Sequence, residues 1–272
     1  MSIVDQDLTS IAFCWRIERR DGLCIGFTTH DRDLIVGHLT YRAAPGMLPS
    51  AISMTDGFDA DALEIGGALT SDAISEQDLR AGRWDGAAIR VFMVDWEQPD
   101  GEQVQVTRGE LGDVSAQGTG FTAELRGPTA LLDRPVVEQT SPECRAELGD
   151  KRCRIDMAAR VTVARIVEVP SEDVLQVSSG SIEANAYAYG RLRWITGGNS
   201  GLESALLSSA GLVLTLREPP VYPAAVGDLV EIREGCDKSF DTCTARFANG
   251  TNFRGEPYLP GMDLLTRYPG AS

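Results

Sequence analysis

Residues 11–27, IAFCWRIERRDGLCIGF, read as two strands and the turn between them. Ile11, Phe13, Trp15 and Ile17 alternate with their neighbours, Arg20-Asp21-Gly22 makes the turn, and Leu23, Ile25 and Phe27 alternate on the return. Successive strand side chains point to opposite faces, and Gly accepts the positive φ a tight turn needs. Alternation on both sides of an Asp-Gly is therefore a strong hairpin signal. Cys14 and Cys24 fall on these strands and are expected as small buried hydrophobes.

The pattern recurs along the chain. AAIRVFMVDW (87–96), EQVQVTRGELGDVSA (102–116) and FTAELRG (121–127) form a meander, with turns at Gln98-Pro99-Asp100-Gly101 and Gly118-Thr119-Gly120. VTVARIVEV and DVLQVSS pair around Pro170–Asp173, three further strands follow between Tyr189 and Pro220, and VGDLVEIREG leads to Cys236. Gly197-Gly-Asn-Ser-Gly201 lacks the Lys-Ser/Thr of a phosphate loop and reads as a turn. A short helix is expected over 71–82, capped by Ser71 or Ser75, with Ile74 and Leu79 inward and Gly82 ending it. Residues 58–70 are rich in Gly and acids, and no element is assigned to them. GPTALLDRPVVEQT (127–140) reads as a short helix and a linker. The prediction is a mainly β protein with a few short helices, in two β-rich domains, 1–130 and 131–272.

A chain of 272 residues, 43% hydrophobic with 28 Gly and 13 Pro, can bury a core and make many turns. No run approaches the roughly 18 apolar residues of a membrane span, and MSIVDQDLTSIAF has neither the basic start nor the apolar core of a secretory signal. Folding in a reducing cytoplasm is expected. The balance of 25 basic against 40 acidic residues, a net charge of −15, argues against wrapping nucleic acid. It serves solubility, or an acidic passage that repels DNA and lets it slide past.

In a reducing compartment, clustered cysteines bind metal or do redox work more often than they pair. Cys144 and Cys153 are separated by eight residues and Cys236 and Cys243 by six, with some eighty residues between the pairs. Four thiols from two distant places suit a structural metal centre that the fold assembles. Structural zinc favours ligand pairs two to four residues apart, whereas four-thiolate iron–sulfur sites accept more varied spacing. The residues leave iron–sulfur, zinc and free or paired thiols open. After Cys236 a helix of two to three turns is expected, with Ser239 as N-cap, Asn249-Gly250 as left-handed stop, and Phe240, Cys243 and Phe247 on one face. Cys236 then lies before the helix N-terminus, where amide N–H groups and the dipole favour thiolate. Arg145, Lys151, Arg152 and Arg154 crowd the first pair and would offset its negative charge.

His30, Asp31 and Asp33 combine a histidine with carboxylates, a set able to bind zinc or act as acid and base. Thr-His-Asp-Arg-Asp after a strand is equally a polar turn whose side chains cap backbone groups, and the turn is the expectation here.

LGDKRCRIDMAARV (148–161) and EGCDKSFDTCTARFANGTNFRGEPYLPGMDLLTRYPG (234–270) resemble a phage family of conserved hypothetical proteins with a C-terminal cysteine motif followed by Asn-Phe-Arg-Gly and Pro-Gly. GFTTHDRDL (26–34) resembles that family's N-terminal motif, so the resemblance spans the chain. Within it, the sequence is similar to tail hub proteins of Rhodobacter-type gene transfer agents, which are phage-like particles, and similar in role to the lambda tail-tip hub. The resemblance implies a [4Fe–4S] cluster on Cys144, Cys153, Cys236 and Cys243, and a homotrimer of β-barrel-like or β-sandwich domains stapled by that centre. It also implies the partners: a distal tail protein on the hexameric tail tube, a large central tip protein and a tail-associated peptidase, with DNA passing through unbound. Assembly in the bacterial cytoplasm into a particle tail follows.

Two functions of other classes compete with the structural hub. An iron–sulfur redox protein needs a substrate pocket or cofactor fingerprint, and the sequence offers neither. A cell-wall hydrolase could use Cys24 and His30 with a nearby acid, but no oxyanion or metal pattern accompanies them. NFRGEPYLPG, with Pro257, Tyr258 and Pro260, either docks on a partner or packs back over the cysteine helix.

Overall fold

The computed structural model describes residues 10–43, 48–49, 62–68, 75–117, 120–126 and 137–259. The chain divides into two compact units, Met1–Val136 and Val137–Ser272. Both are built on β-structure, with few and short helices.

The first unit holds a nine-stranded sheet. β1 (Ile11–Glu18) and β2 (Cys24–Thr28) are the hairpin read from the sequence, paired from Cys14↔Thr28 to Glu18↔Cys24. β3 (Leu34–Val36) and β4 (Leu39–Ala43) follow, and β4 lies parallel to β2. Then come β5 (Leu48–Pro49), β6 (Ala62–Ala68), α1 (Glu76–Arg80), β7 (Ala88–Asp95), β8 (Gln103–Gln117) and β9 (Gly120–Arg126). The spatial order is β3-β4-β2-β1-β7-β8-β9-β6-β5. β6 lies in the stretch that has no element assigned from sequence; its identity comes from full pairing with β9, Ala62↔Arg126 to Ala68↔Gly120.

The sheet buries apolar residues on both faces. Trp15, Ile17, Ile89 and Val91 pack with Leu79 and Trp84 on one side, and Ala12, Cys14, Tyr41, Phe92 and Val94 form a second cluster on the other. Simple alternation therefore fails over 12–15, where Ala12, Cys14 and Trp15 are all buried. Cys14 is fully enclosed, and burial pushes its thiol up to about 11 against the hydrogen bond to Thr28. Cys24 is only half-buried. Ser75 caps α1, accepting from the Asp78 amide at 3.0 Å, and Gly82 closes it at φ +66°. Ser71, Ile74, Gly118-Thr119 of the expected turn and residues 127–136 of the expected helix and linker lie outside the described residues.

The second unit contains a closed six-stranded barrel, β10-β11-β14-β13-β12-β15. Its strands are β10 (Val161–Ser171), β11 (Val174–Val177), β12 (Arg191–Trp194), β13 (Glu203–Ala210), β14 (Val213–Leu216) and β15 (Leu229–Arg233). Pairing of β15 with β10, Val161↔Arg233 to Arg165↔Leu229, closes it. Ile166, Leu175, Leu192, Trp194, Leu206, Leu214, Leu216, Val230 and Ile232 fill the interior. Register shifts in β10 and β13 supply the bends that a small closed barrel needs. Gly197–Gly201 is the turn expected, with Gly197 at φ +83° and Gly201 at φ +84°.

The barrel hands the chain on at β15. A Cβ on Gly235 would overlap the backbone of Gly190 and Tyr189, so two strand ends meet at a distance only glycine allows. The Glu234 carboxylate accepts from Arg160 at 2.6 Å and Arg246 at 2.9 Å, and Arg246 also donates to the carbonyls of Gly235 and Ala186. Gly235→Ala is expected to cost about 1–3 kcal/mol through forced backbone displacement, read as a lower thermal midpoint of the purified protein. An unchanged midpoint would mean that the strand ends are free to part.

Candidate metal centre

The first cysteine pair sits on a loop gathered by one carboxylate. Asp150 accepts from the amides of Glu147 (3.0 Å), Arg152 (2.8 Å) and Cys153 (2.6 Å). Burial pushes its pKa up, but the Cys153, Glu147 and Arg152 amides outweigh that and hold the carboxyl below its usual range. Gly149, at φ +82°, lets Met157 pack where a Cβ would collide.

Of the second pair, Cys236 precedes α2 (Phe240–Ala245) and Cys243 lies within it. Ser239 caps it as expected, accepting from the Thr242 amide at 3.1 Å, and Asp237 accepts from the Ser239 amide and the Thr242 hydroxyl. The helix has six residues, shorter than the two to three turns expected. Its stop also differs: Ala248 takes the left-handed conformation at φ +48°, and the Asn249 amide folds back to the Cys243 carbonyl at 2.9 Å. Asn249 is thereby turned inward and buried, its side-chain amide donating to the Cys153 carbonyl at 2.7 Å and lying 3.7 Å from Cys153 Sγ. Sequence reasoning had given Asn249 only a stop role; an Asn beside a helix end is the usual mark of a C-cap and hides the second use.

All four cysteines line one cavity, whose other walls include Ala146, Leu148, Ile155 and Phe247. Cys153 and Cys243 are buried, Cys144 and Cys236 half-buried, and none is disulfide-bonded. Loop amides face two of the sulfurs: Lys238 N lies 3.4 Å from Cys236 Sγ and Arg254 N 3.4 Å from Cys144 Sγ. These donors come from loops, not from the helix N-terminus. Burial raises the Cys236 thiol, and it raises Cys243, to which Cys144, Cys236 and Cys153 add repulsion. Among the described residues no group of three or more His, Cys, Asp or Glu side chains is set to hold a single metal ion.

The expected cationic support takes another form. Arg145 makes a two-pronged ion pair with Glu256 (2.7 and 3.0 Å) and reaches Glu138, and Arg152 pairs with Glu138 and Asp150. Lys151 and Arg154 are exposed. Carboxylates thus neutralise Arg145 and Arg152. Lys238, not anticipated, lines the cavity and donates to the Ala146 carbonyl at 2.6 Å.

Phe240 leaves the face expected for it. Its ring packs against Phe253 at 5.0 Å and Tyr258 at 6.5 Å, while Cys243 and Phe247 face the cavity. The Phe247 ring lies under two guanidiniums, Arg160 at 4.9 Å and Arg246 at 4.8 Å. Residues 252–257 fold back over the first pair: Arg145 N donates to the Arg254 carbonyl, Glu256 N to Ser141, and Gly255 packs on the Glu143 backbone. Tyr258, at 87% exposure, points outward; Pro260 lies outside the described residues.

His30 sits in the expected polar turn. Its Nδ1 accepts from the Arg32 amide at 3.1 Å, its ring packs on Trp96 at 5.2 Å, and Asp33 accepts from the Ala43 amide. Asp31 is 81% exposed.

Residues 2–156 match the family described as baseplate hub protein, N-terminal attachment domain. Residues 185–263 match the family described as phage conserved hypothetical protein BR0599. The first match takes in Cys144 and Cys153, the second Cys236 and Cys243. A chain of the solved virion of a native gene transfer agent particle is 36% identical, with 99% of this chain and 94% of that one covered and a TM-score of 0.84. No curated protein matches.

The fold-back carries a pH signature. The Arg145 guanidinium, then the Ser141 amide, hold the Glu256 carboxyl down to about 2 from an ordinary 4.5. A depressed folded-state pKa stabilises the fold fully above the unfolded value and loses that contribution as pH falls through the folded one. The thermal-midpoint difference between wild type and Glu256→Gln is expected to be constant above about pH 4.5 and to vanish towards about pH 2. A difference independent of pH over that window would remove the ion pair from the fold-back.

Proposed function

The chain belongs to the baseplate hub protein family and is a component of a phage-like particle tail, and on that premise we propose that it is a structural hub carrying a [4Fe–4S] staple. The observation that carries the hub reading is the 36% identity to a virion chain over 99% of the sequence. In this reading a homotrimer joins the tail tube, through a distal tail protein, to a large central tip protein, with a peptidase alongside and DNA passing unbound. The net charge of −15 suits such a passage, since phosphate is repelled and does not adhere.

The role we infer is structural and not enzymatic. Cys24 lines a groove with Arg16 and Tyr41, while His30 is engaged in its turn with Arg32 and Trp96. That separation leaves a hydrolase without its pair.

Cys144, Cys153, Cys236 and Cys243 would hold the cluster. Four cysteine sulfurs lining one cavity are the ligand set such a cluster takes. When bound, the cluster supplies iron–sulfur bonds and positive charge that relieve the repulsion between thiolates. The chain's own residues do the rest. Lys238 and Arg254 direct amides at sulfur, Asn249 orients Cys153, and Leu148, Ile155 and Phe247 keep water out. A cross-link across some eighty residues removes unfolded-chain entropy of about 4 kcal/mol by analogy with disulfides, and metal binding adds folding free energy directly.

Anaerobically purified protein is expected to contain about four iron and four sulfide per chain, lost on Cys144→Ser or Cys243→Ser together with several degrees of thermal midpoint. Zinc, or no metal, would sink the cluster while leaving the hub untouched. Particles produced without the chain are expected to lack complete tails and to deliver no DNA; normal delivery would overturn the hub.

A further inference from the structure

Three arginines stand side by side on the nine-stranded sheet. Arg16 on β1 is directly opposite Arg90 on β7, and Arg90 is directly opposite Arg108 on β8. Opposed residues of antiparallel neighbours share a face, with Cβ atoms about 5 Å apart, and like charges so placed destabilise the sheet. All three are exposed, and they lie on the face away from Trp15, Ile17 and Val91.

Among the described residues, little answers this charge. Arg16 pairs with Glu18 at 3.2 Å, both about half exposed, an arrangement worth little in water. Arg90 lies over the Phe92 ring at 5.2 Å and reaches Gln103 only at 3.5 Å. Arg108 has no carboxylate partner among the described residues. Elsewhere the same chain matches arginine with acid closely, as at Arg145–Glu256 and Arg160–Glu234. Next to the row is a groove of about 460 Å³, lined by Arg16 and Arg90 together with Leu39, Tyr41 and Phe92. Gly26, between Arg16 and β4 in the pairing order, admits the Tyr41 ring close to the sheet.

We propose that the Arg16–Arg90–Arg108 row is a docking site for an acidic peptide segment of a neighbouring tail protein, a reading that rests on the hub assignment. Strands spaced about 4.8 Å apart set the three guanidiniums along about 10 Å. Two or three carboxylates on an extended segment span that length, and guanidinium forks bind carboxylate with two parallel hydrogen bonds. The apolar groove wall takes the segment's uncharged side chains. A duplex needs a long basic track and meets a net charge of −15 instead, so the short carboxylate segment is the better fit. The row also lies within residues 2–156, the part matching the attachment domain.

The test uses the full chain with Arg90→Gln, Arg108→Gln, the double variant, and Arg90→Lys. Binding is measured with a fluorescent hexaglutamate peptide and with single- and double-stranded oligonucleotides, and incorporation into particles with the chain supplied in trans. Wild type is expected to bind hexaglutamate with an affinity that falls as salt rises, and the double variant to bind about tenfold more weakly or worse. Arg90→Lys should fall between them, and the glutamine variants should melt no lower than wild type because a like-charge contact is removed. Incorporation should drop with binding. Equal peptide binding and incorporation by the double variant would overturn the docking site, as would a lowered melting temperature or tighter binding to oligonucleotide than to peptide. Absence of wild type itself from particles would overturn the hub reading instead.

Discussion

Four thiols lining one cavity, two of them buried, repel one another as soon as they ionise, and the second unit is arranged to hold them there regardless. Burial raises Cys236 and Cys243, and the other three cysteines add repulsion at Cys243. No cysteine pair is covalently joined, so their proximity depends on the scaffold. That scaffold is a barrel whose strand end must pass Gly190 at a distance no side chain allows. Cys236 follows at once, and its place is fixed by backbone packing before any ligand is considered. A cation would find the sulfurs gathered, at little further cost in chain entropy.

The two cysteine segments are tied by neutral and charged contacts in parallel. Asn249 reaches from behind α2 to Cys153, Cys144 N donates to the Lys238 carbonyl, and Lys238 reaches back to Ala146. Arg145 and Glu256 clamp the returning chain above them. Removing one contact leaves the others in place. The two cysteine segments are thereby held together by several independent contacts.

Most of the strands were legible because period-2 alternation and turn residues are local signals, as in Ile11–Phe27 and Val161–Val177. β6 was not. Ala62–Ala68 contains two glycines and an acid, and becomes a strand through its pairing with β9, a tertiary fact. Alternation also failed at Ala12–Trp15, because a sheet with apolar cover on both faces buries both parities. At the centre, the cysteines and the Ser239 cap could be read directly. The partners of Arg145 and Arg152 could not, since Glu256 and Glu138 lie far off or outside the loop in sequence. Ala248 in the left-handed conformation was invisible for a related reason: no propensity favours alanine there. Only the gain at Asn249 accounts for it.

In the second unit each internal arginine of the clamp has a carboxylate: Arg145 with Glu256, Arg160 and Arg246 with Glu234. Two of these also flank the Phe247 ring, so cation and aromatic together seal the cavity's far wall. In the first unit three arginines face one another across adjacent strands, and among the described residues Glu18 is the one carboxylate given an ion pair with any of them. A chain with 40 acidic residues had ample acid to place opposite them. Charge matched within the chain holds a fold together, whereas charge left unmatched in register costs stability that only a partner can return. The first arrangement surrounds the cysteines, and the second lies in the domain described as one of attachment.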